Sequence, residues 1–505
     1  LLKGTLEPED TTAPAMVSMP ILAAANVFQF AGLSHLDQFN SNHGNQLNDE
    51  PPSPAIAVGN GYILEGVNSA VQVYNLSGAP LLATTLSANQ VFNLAPEIDR
   101  STSALTRGVF TTDMRVFYDQ TIQRWFILQR AQDQDSFGNP LNSSHLYLAV
   151  SQTSDPTQTY TIYSMDTTDL ANPQCPCILD YPQIGADQYG FYITGNEYNA
   201  NFLGFVDVSV LALSKTSLAA GAVTPTAAKL LIPVQTSLTF SLQPAVTPPG
   251  ASYFLAFGGL QYFVSTQVQA QDSNLALWAL TNTASLGTST PNLSMTQTTI
   301  PILPYSQPPV IRQKTGPTPY NTSIGYPLPF IDGGDTRIQT ATYAGGRLYL
   351  TLPTAVTDEN AHSLAGGAFV VLSPTYRGGV LAATVLQQGY LLVKNNSLLR
   401  PAIAVNAQGK GAIGFTLVGP DYFPSVAFTP VSTTSVGPNV QVATAGAAPE
   451  DGFSASLNFG VARWGDYFGA VAAADGSIWM AIELITNAPR ALKANWDTQV
   501  IQVVP

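Results

Sequence analysis

Pro54-Ala55-Ile56-Ala57-Val58 recurs residue for residue as Pro401-Ala402-Ile403-Ala404-Val405, and Pro244-Ala245-Val246 is a shorter echo. The first copy is followed by a turn at Asn60-Gly61 and then YILEGV (62–67). The later copy is followed by Gln408-Gly409 and then GAIGFTLV (411–418). Short apolar runs broken by Gly-bearing turns are the grammar of a β-hairpin, because Gly supplies the positive φ that tight turns need.

The same grammar marks seven units, beginning near Ser53, Asp113, Asp180, Leu242, Arg337, Arg400 and Arg463. Each has room for four short strands. Seven like units predict an all-β fold, a single seven-bladed β-propeller, because radial closure hides sheet edges that an open array exposes. The innermost strands are expected near 54–58, 114–118, 181–186, 242–247, 338–343, 401–405 and 467–472. The expected organisation is an N-terminal arm over 1–22 and the propeller over 23–505, with an insertion loop at 287–336 and a second loop near 430–460. The seventh unit reads one strand short, and VFQFA (27–31) is expected to complete it.

Composition narrows the function. Only 10% of the 505 residues are charged, against about 25% in ordinary soluble proteins, while 45% are hydrophobic. Gly 40 and Pro 37 favour turns over long helices. A formal net charge of -13 argues against nucleic-acid or anionic-membrane partners, which select cationic faces. The longest apolar stretch near the N-terminus, Met19 to Leu33, is too short to span a membrane and contains Asn26 and Gln29. The first residue is Leu1 and Lys is scarce. The expectation is an exported bacterial protein, extracellular or at the cell surface, with a leader removed. Cys175 and Cys177, in Cys-Pro-Cys, are expected to form a small local disulfide or to stand as two buried thiols.

The runs PAIAVGNGYILEGVNSAVQVYN (54–75), RVFYDQTIQRWFILQ (115–129), DYPQIGADQYGFYITGNEY (180–198) and ARWGDYFGAVAAADGSIWMAIE (462–483) resemble a group of secreted bacterial β-propeller proteins of sialidase-like architecture. The resemblance spans most of 27–485. It implies export and a propeller, and it carries no activity to transfer.

Scarcity makes the placement of charge informative. Four of the twelve Arg residues, Arg115, Arg337, Arg400 and Arg463, stand at the entry to the first strand of a unit. Asp113, Asp335 and Asp466 lie two or three residues from three of them, and Asp180 holds the equivalent place in the third unit. One reading is a polar ring at the channel mouth that binds a carboxylate or a sugar through planar guanidinium forks. The other, which takes precedence here, is Arg–Asp pairing that holds adjacent blades together.

Sialidase-like enzymes combine an Arg cluster with an acid and a nucleophile. Tyr181, Glu197 and Glu483 are the nominations, but no spacing joins any two of them, and the Ser-x-Asp-x-Gly-x-x-Trp box is absent. His35, His43, His145 and His362 form no ligand motif, and His35 and His43 are expected in solvent-facing loops. Asp133-Gln-Asp135-Ser-Phe137-Gly138 starts like a calcium loop but lacks its later ligands. No cofactor is expected. A structural calcium is the ion the sequence best admits, either between blades or in the polar loop carrying Asp37, Asp49 and Glu50, and a metal at Cys175 and Cys177 is the lesser alternative.

With no assembled catalytic set, the balance falls against an enzyme. The first reading is a secreted, non-catalytic scaffold or interaction protein, self-assembling into a filament or surface layer through residues 1–20. The alternative is a carbohydrate-binding or carbohydrate-active propeller that uses an Arg-lined channel. So few ionisable groups also predict stability at low pH.

Overall fold

Each short strand has one or both faces to bury, and each Gly, Asn or Asp turn sends the next strand back beside it. The chain therefore folds into four-stranded antiparallel sheets in sequence order, seen in a computed structural model that describes residues 17–24, 27–101, 103–233, 239–266, 271–433, 435–490 and 493–505. Blade 1 comprises Ala55–Gly59, Tyr62–Val67, Ala70–Asn75 and Leu86–Ser87. Blade 2 is Phe110–Asp119, Arg124–Gln134, Pro140–Ser151 and Tyr160–Asp166, and blade 3 is Cys177–Ala186, Gly190–Asn199, Phe205–Ser214 and Ala227–Pro233. Blade 4 is Phe240–Pro244, Leu260–Thr266, Gln271–Thr281 and Ser294–Ser306. Blade 5 is Thr340–Ala344, Arg347–Thr357, Ser363–Arg377 and Val380–Leu391, and blade 6 is Ser397–Val405, Gly411–Val418, Ser425–Val431 and Val440–Thr444.

Blade 7 draws on both ends of the chain. Gly469–Ala472, Ile478–Ile485 and Trp496–Val503 come from the C-terminal part, and Phe28–Ser34 pairs antiparallel with the last of them. Glu65 of blade 1 accepts hydrogen bonds there from the Leu33 amide at 3.0 Å and the Thr498 hydroxyl at 2.6 Å.

The chain is thus a seven-bladed β-propeller. The first strand of every blade contributes to one central cavity, which places all seven predicted strands innermost. Both PAIAV copies occupy that position. Between blades the core is aromatic and aliphatic: Phe126 stacks on Phe191 at 4.3 Å, and Trp125, Trp464 and Trp479 are buried. Threonines stitch neighbouring blades, Thr194 donating to the Leu242 carbonyl at 2.6 Å and Thr351 to that of Pro401 at 2.7 Å.

Three features differ from the sequence reading. The expected insertion loop 287–336 contains the outermost strand of blade 4, Ser294–Ser306, whose Thr, Ser and Pro content suits a half-exposed edge and so reads as loop. The expected loop 430–460 contains the outer strand of blade 6 for the same reason. The expected arm, 1–22, falls mostly outside the described residues. Its last part does not stand apart: Ile21–Ala23 adds a parallel fifth strand to blade 6 of the same chain. The Met19 amide donates to the Leu392 carbonyl at 2.8 Å.

Convergence on one axis restricts residue size. A Cβ on Gly469, in the inner strand of blade 7, would lie 2.7 Å from the Ile56 amide nitrogen of blade 1. That neighbour is backbone and cannot step aside. Gly469→Val is expected to cost about 2–4 kcal/mol, whereas Gly287→Ala, with nothing within 4 Å of its would-be Cβ, should stay within about 0.5 kcal/mol. Denaturant melts of the two variants check the contrast.

Candidate functional site

The entry to the inner strand is irregular in the same way in several blades. Ser53, Asp113, Tyr181, Ser241 and Arg400 all have left-handed backbone, with φ between 47° and 58°. In blades 2, 3, 4 and 6 this coincides with a register shift, for example between Thr112 and Arg115 and between Asp180 and Gln183. Non-glycine residues adopt this conformation rarely, and a bulge re-aims the side chains beside it. Asp113, Tyr181 and Arg400 are placed by it at the mouth of the channel.

Two tyrosines close the channel behind that mouth. Tyr467 of blade 7 donates its hydroxyl to the Met114 carbonyl of blade 2 at 3.0 Å, and Tyr181 of blade 3 donates to the Asp466 carbonyl at 3.3 Å. Their rings meet edge to face at 5.8 Å. Arg115 lies over the Tyr467 ring, 3.0 Å from its centroid, and Arg337 lies 4.1 Å from that of Tyr181. Cations over ring faces are held by the aromatic quadrupole, more strongly when water is excluded.

Above this plug the predicted charges form one basin. Arg337 grips Asp335 in a bidentate pair, with Nη2 2.6 Å from Oδ2. Arg400 donates to the carbonyls of Trp464 and Gly465 and lies 3.7 Å from Asp332. Arg463 pairs with Asp466 at 2.9 Å but keeps 47% of its side chain exposed. Arg130, which the sequence reading missed, donates to the Leu179 carbonyl at 2.8 Å and faces Asp180 at 3.7 Å. It lies on a second strand, so no entry position advertised it.

Pairing is thus of two kinds. Arg337–Asp335 and Arg463–Asp466 are local to one entry segment, whereas Arg400–Asp332 and Arg130–Asp180 join blades. Arg115 and Asp113, two residues apart, do not pair: the bulge separates them, and Arg115 Nε donates to the Pro182 carbonyl at 2.9 Å.

The basin splits the ionisation of its two central carboxyls. Burial pushes Asp113 up to about 7, with Asp180 and Asp466 adding to the shift and Arg130 and Arg463 opposing it. Burial would raise Asp466 too, but Arg463, Arg400 and Arg337 outweigh it and hold that carboxyl below its usual range. A carboxyl raised to about 7 in the same basin as one held low is the kind of split that general acid chemistry uses.

Of the other nominations, Tyr181 belongs to the plug and is buried. Glu483 lies behind the basin, accepting from the Gly465 amide at 2.9 Å, and burial holds it well above the usual range. Glu197 is elsewhere, paired with Lys229 at 2.8 Å. His35 is buried rather than solvent-facing, with Nδ1 2.6 Å from the Trp496 carbonyl, because it opens the helical segment His35–Gly44, which follows the closing strand and packs against blade 1. Cys175 and Cys177 are disulfide-bonded. The one set of three metal-capable ligand atoms within 4.8 Å of one another among the described residues combines those two sulfurs with Glu197. Asp37, Asp49 and Glu50 form no such set; Asp37 instead caps the helix, accepting from the Ser34 amide at 2.9 Å. Asp135 closes a hairpin turn, accepting from the Phe137 and Asn139 amides.

No family model matches the chain, and no curated protein matches it. Solved structures do. A sialidase of Trypanosoma rangeli is 9% identical over 77% of this chain and 53% of its own length, with a TM-score of 0.33. A variant of the NanB sialidase from Streptococcus pneumoniae is 10% identical over 79% of this chain and 68% of its own, at 0.41. A GH43 β1,3-galactosidase is 11% identical over 72% of this chain and 98% of its own, at 0.31. The chain spans about half the length of the Trypanosoma enzyme. These likenesses concern architecture, and the site rests on its own geometry. No helix among the described residues is long and apolar enough to cross a membrane.

Buried carboxyls set the pH response of the whole ring. Burial raises Asp49, Glu50, Glu65, Asp113 and Glu197 each to about 7. A folded-state pKa above the unfolded value means the folded chain binds more protons between the two, so this stability is full below about pH 4 and lost as pH rises through about 7. Asp335 and Asp466, held low, act oppositely: their contribution is present above the unfolded value near 3.8 and lost as pH falls further. Melting temperature is therefore expected to peak near pH 4–5 and to fall towards pH 8. Glu65→Gln should flatten that fall in calorimetric melts across the range; a curve that rises towards pH 8 refutes the account.

Proposed function

We propose that the chain is a carbohydrate-active propeller that binds an acidic glycan in the basin above the tyrosine plug. The observation that carries this reading is the convergence at the channel mouth of Asp113, which burial raises to about 7, and Asp466, which Arg463, Arg400 and Arg337 hold low, with the half-exposed guanidinium of Arg463. Arg463 donates to Asp466 through Nη2 and keeps about half of its side chain exposed, and a planar donor fork suits a sugar carboxylate. Asp113 is placed to give a proton to a glycosidic oxygen, and Asp466 to support the positive charge that develops as that bond breaks. Arg115 and Arg337 lie on the faces of Tyr467 and Tyr181, and the four form the floor of the basin rather than its reacting groups.

The competing reading, a non-catalytic interaction protein assembled through residues 1–20, draws no support from a described docking surface. Its nearest correlate, the strand Ile21–Ala23, is used within the chain.

Glycan-array binding and release of reducing sugar from acidic oligosaccharides test the proposal together. Arg463→Ala is expected to weaken acidic-glycan binding by about 10–100-fold, the worth of a charge-assisted contact. Asp113→Asn is expected to cut turnover at least about 100-fold while leaving binding near wild type. Equal binding of neutral and acidic glycans, or no turnover by the wild type on any of them, hands the chain to the interaction-protein reading.

A further inference from the structure

Behind the plug, on the side away from the basin, the inner strands line an open-ended cavity of about 230 Å³. Tyr181 and Tyr467 do not line it, so it is a separate compartment. Its wall is two-sided. Blades 1, 6 and 7 present small apolar residues, among them Ala55, Ala57, Ala404 and Gly469. Blades 2 to 5 present Arg115, Gln183, Gln243 and Gln339.

The polar arc follows from the recurring bulge. Arg115, Gln183 and Gln243 each stand two residues after a left-handed residue, Asp113, Tyr181 and Ser241, and so occupy one layer around the axis. The three glutamines are at least 95% buried. Gln183 Nε2, Gln243 Oε1, Gln339 Oε1 and Arg115 Nη2 have no hydrogen-bond partner within the protein. An unpaired buried amide destabilises a fold by the desolvation of that group. Three amides and a guanidinium edge around one cavity are a concentration that packing alone does not call for. The rim is braced by a buried ion pair: Lys215 Nζ lies 2.6 Å from Asp119 and donates to the Thr121 hydroxyl at 2.8 Å.

We infer that this cavity is a second ligand site, for a monosaccharide-sized sugar acid. The Arg115 edge would take the carboxylate, with its other face fixed on Tyr467 and its Nε on the Pro182 carbonyl. Gln183 leaves a donor unpaired and Gln243 and Gln339 an acceptor each, which together suit hydroxyl groups that both donate and accept. The alanine and glycine wall meets the C–H face of a pyranose ring. The site is independent of the basin reading, since neither Arg463 nor Asp466 lines it.

Titration calorimetry of the full chain with glucuronate tests the inference, with glucose and acetate as probes of the hydroxyl and carboxylate halves alone. One glucuronate per chain that persists in Arg463→Ala, apart from any held in the basin, is expected, bound at least about tenfold more tightly than either probe, a factor within the worth of one charge-assisted contact. Gln243→Leu and Gln339→Leu are each expected to weaken glucuronate binding at least about tenfold and to raise the melting temperature of the ligand-free protein, because an unpaired amide is removed. Arg463→Ala should leave this binding unchanged. A cavity that holds only water gives no heat with millimolar glucuronate, and that result overturns the inference. So does binding that survives both glutamine variants, or binding lost in Arg463→Ala, which would place the ligand in the basin.

Discussion

The Tyr467 hydroxyl donates to the Met114 carbonyl across the axis of the ring, from blade 7 to blade 2. Seven sheets that splay outward touch the axis only along their first strands, and those strands carry residues as small as Ala55, Ala404 and Gly469. The axis would be underpacked at its mouth without large side chains crossing it. Tyr467 and Tyr181 do this, each satisfying its hydroxyl on the backbone of a blade that is not its neighbour in the ring. Arg115 and Arg337 lie on their faces. The plug thereby fixes the depth of the basin on one side and the roof of the cavity on the other.

The parts of the molecule that repeat were legible in the sequence. PAIAV at 54 and at 401 pointed to equivalent inner strands because both had to be small, apolar and followed by a turn. The Arg and Asp positions at the strand entries were legible for the same reason, since they recur at one place in the repeat. What was not legible was direction. Asp113 and Arg115 are two residues apart and look like a pair, but the left-handed residue between strand and entry turns them to different surroundings. Outer strands were also hidden. Ser294–Ser306 alternates polar residues toward solvent and carries two prolines at a sheet edge, a composition shared with loops.

Charge is used sparingly in this chain, and its few carboxyls are unusually deep. Glu65 is buried against the N-terminal strand of blade 7, and Glu50 lies close enough to add to the upward shifts that burial gives Glu450 and Glu483. Such groups are tolerable in the folded state chiefly as neutral acids, which donate as well as accept. Acid stability was expected from the scarcity of charge. The buried carboxyls supply a second ground for that expectation, since each raised group holds a proton that the unfolded chain would release.

The fold and its sites therefore depend on opposite properties of the same strands. Regular pairing from the second half of each inner strand outward builds the blades and tolerates residues as plain as alanine. The first half breaks that pairing at the same point in blades 2, 3, 4 and 6. A left-handed residue there is strained by comparison with its neighbours, and five of them in one ring are retained against that cost. Their shared effect is on aim. The residue at the bulge faces the basin in Asp113 and Arg400 and supplies the plug in Tyr181, while the residue two places on faces the cavity in Arg115, Gln183 and Gln243. One backbone irregularity, repeated by the symmetry of the propeller, thus creates both polar compartments at once. Blades 1 and 6 carry the same left-handed residue but follow it with Ala55 and Ala402. Chemistry along this axis is set by which side chain each blade places at two positions on either side of the plug.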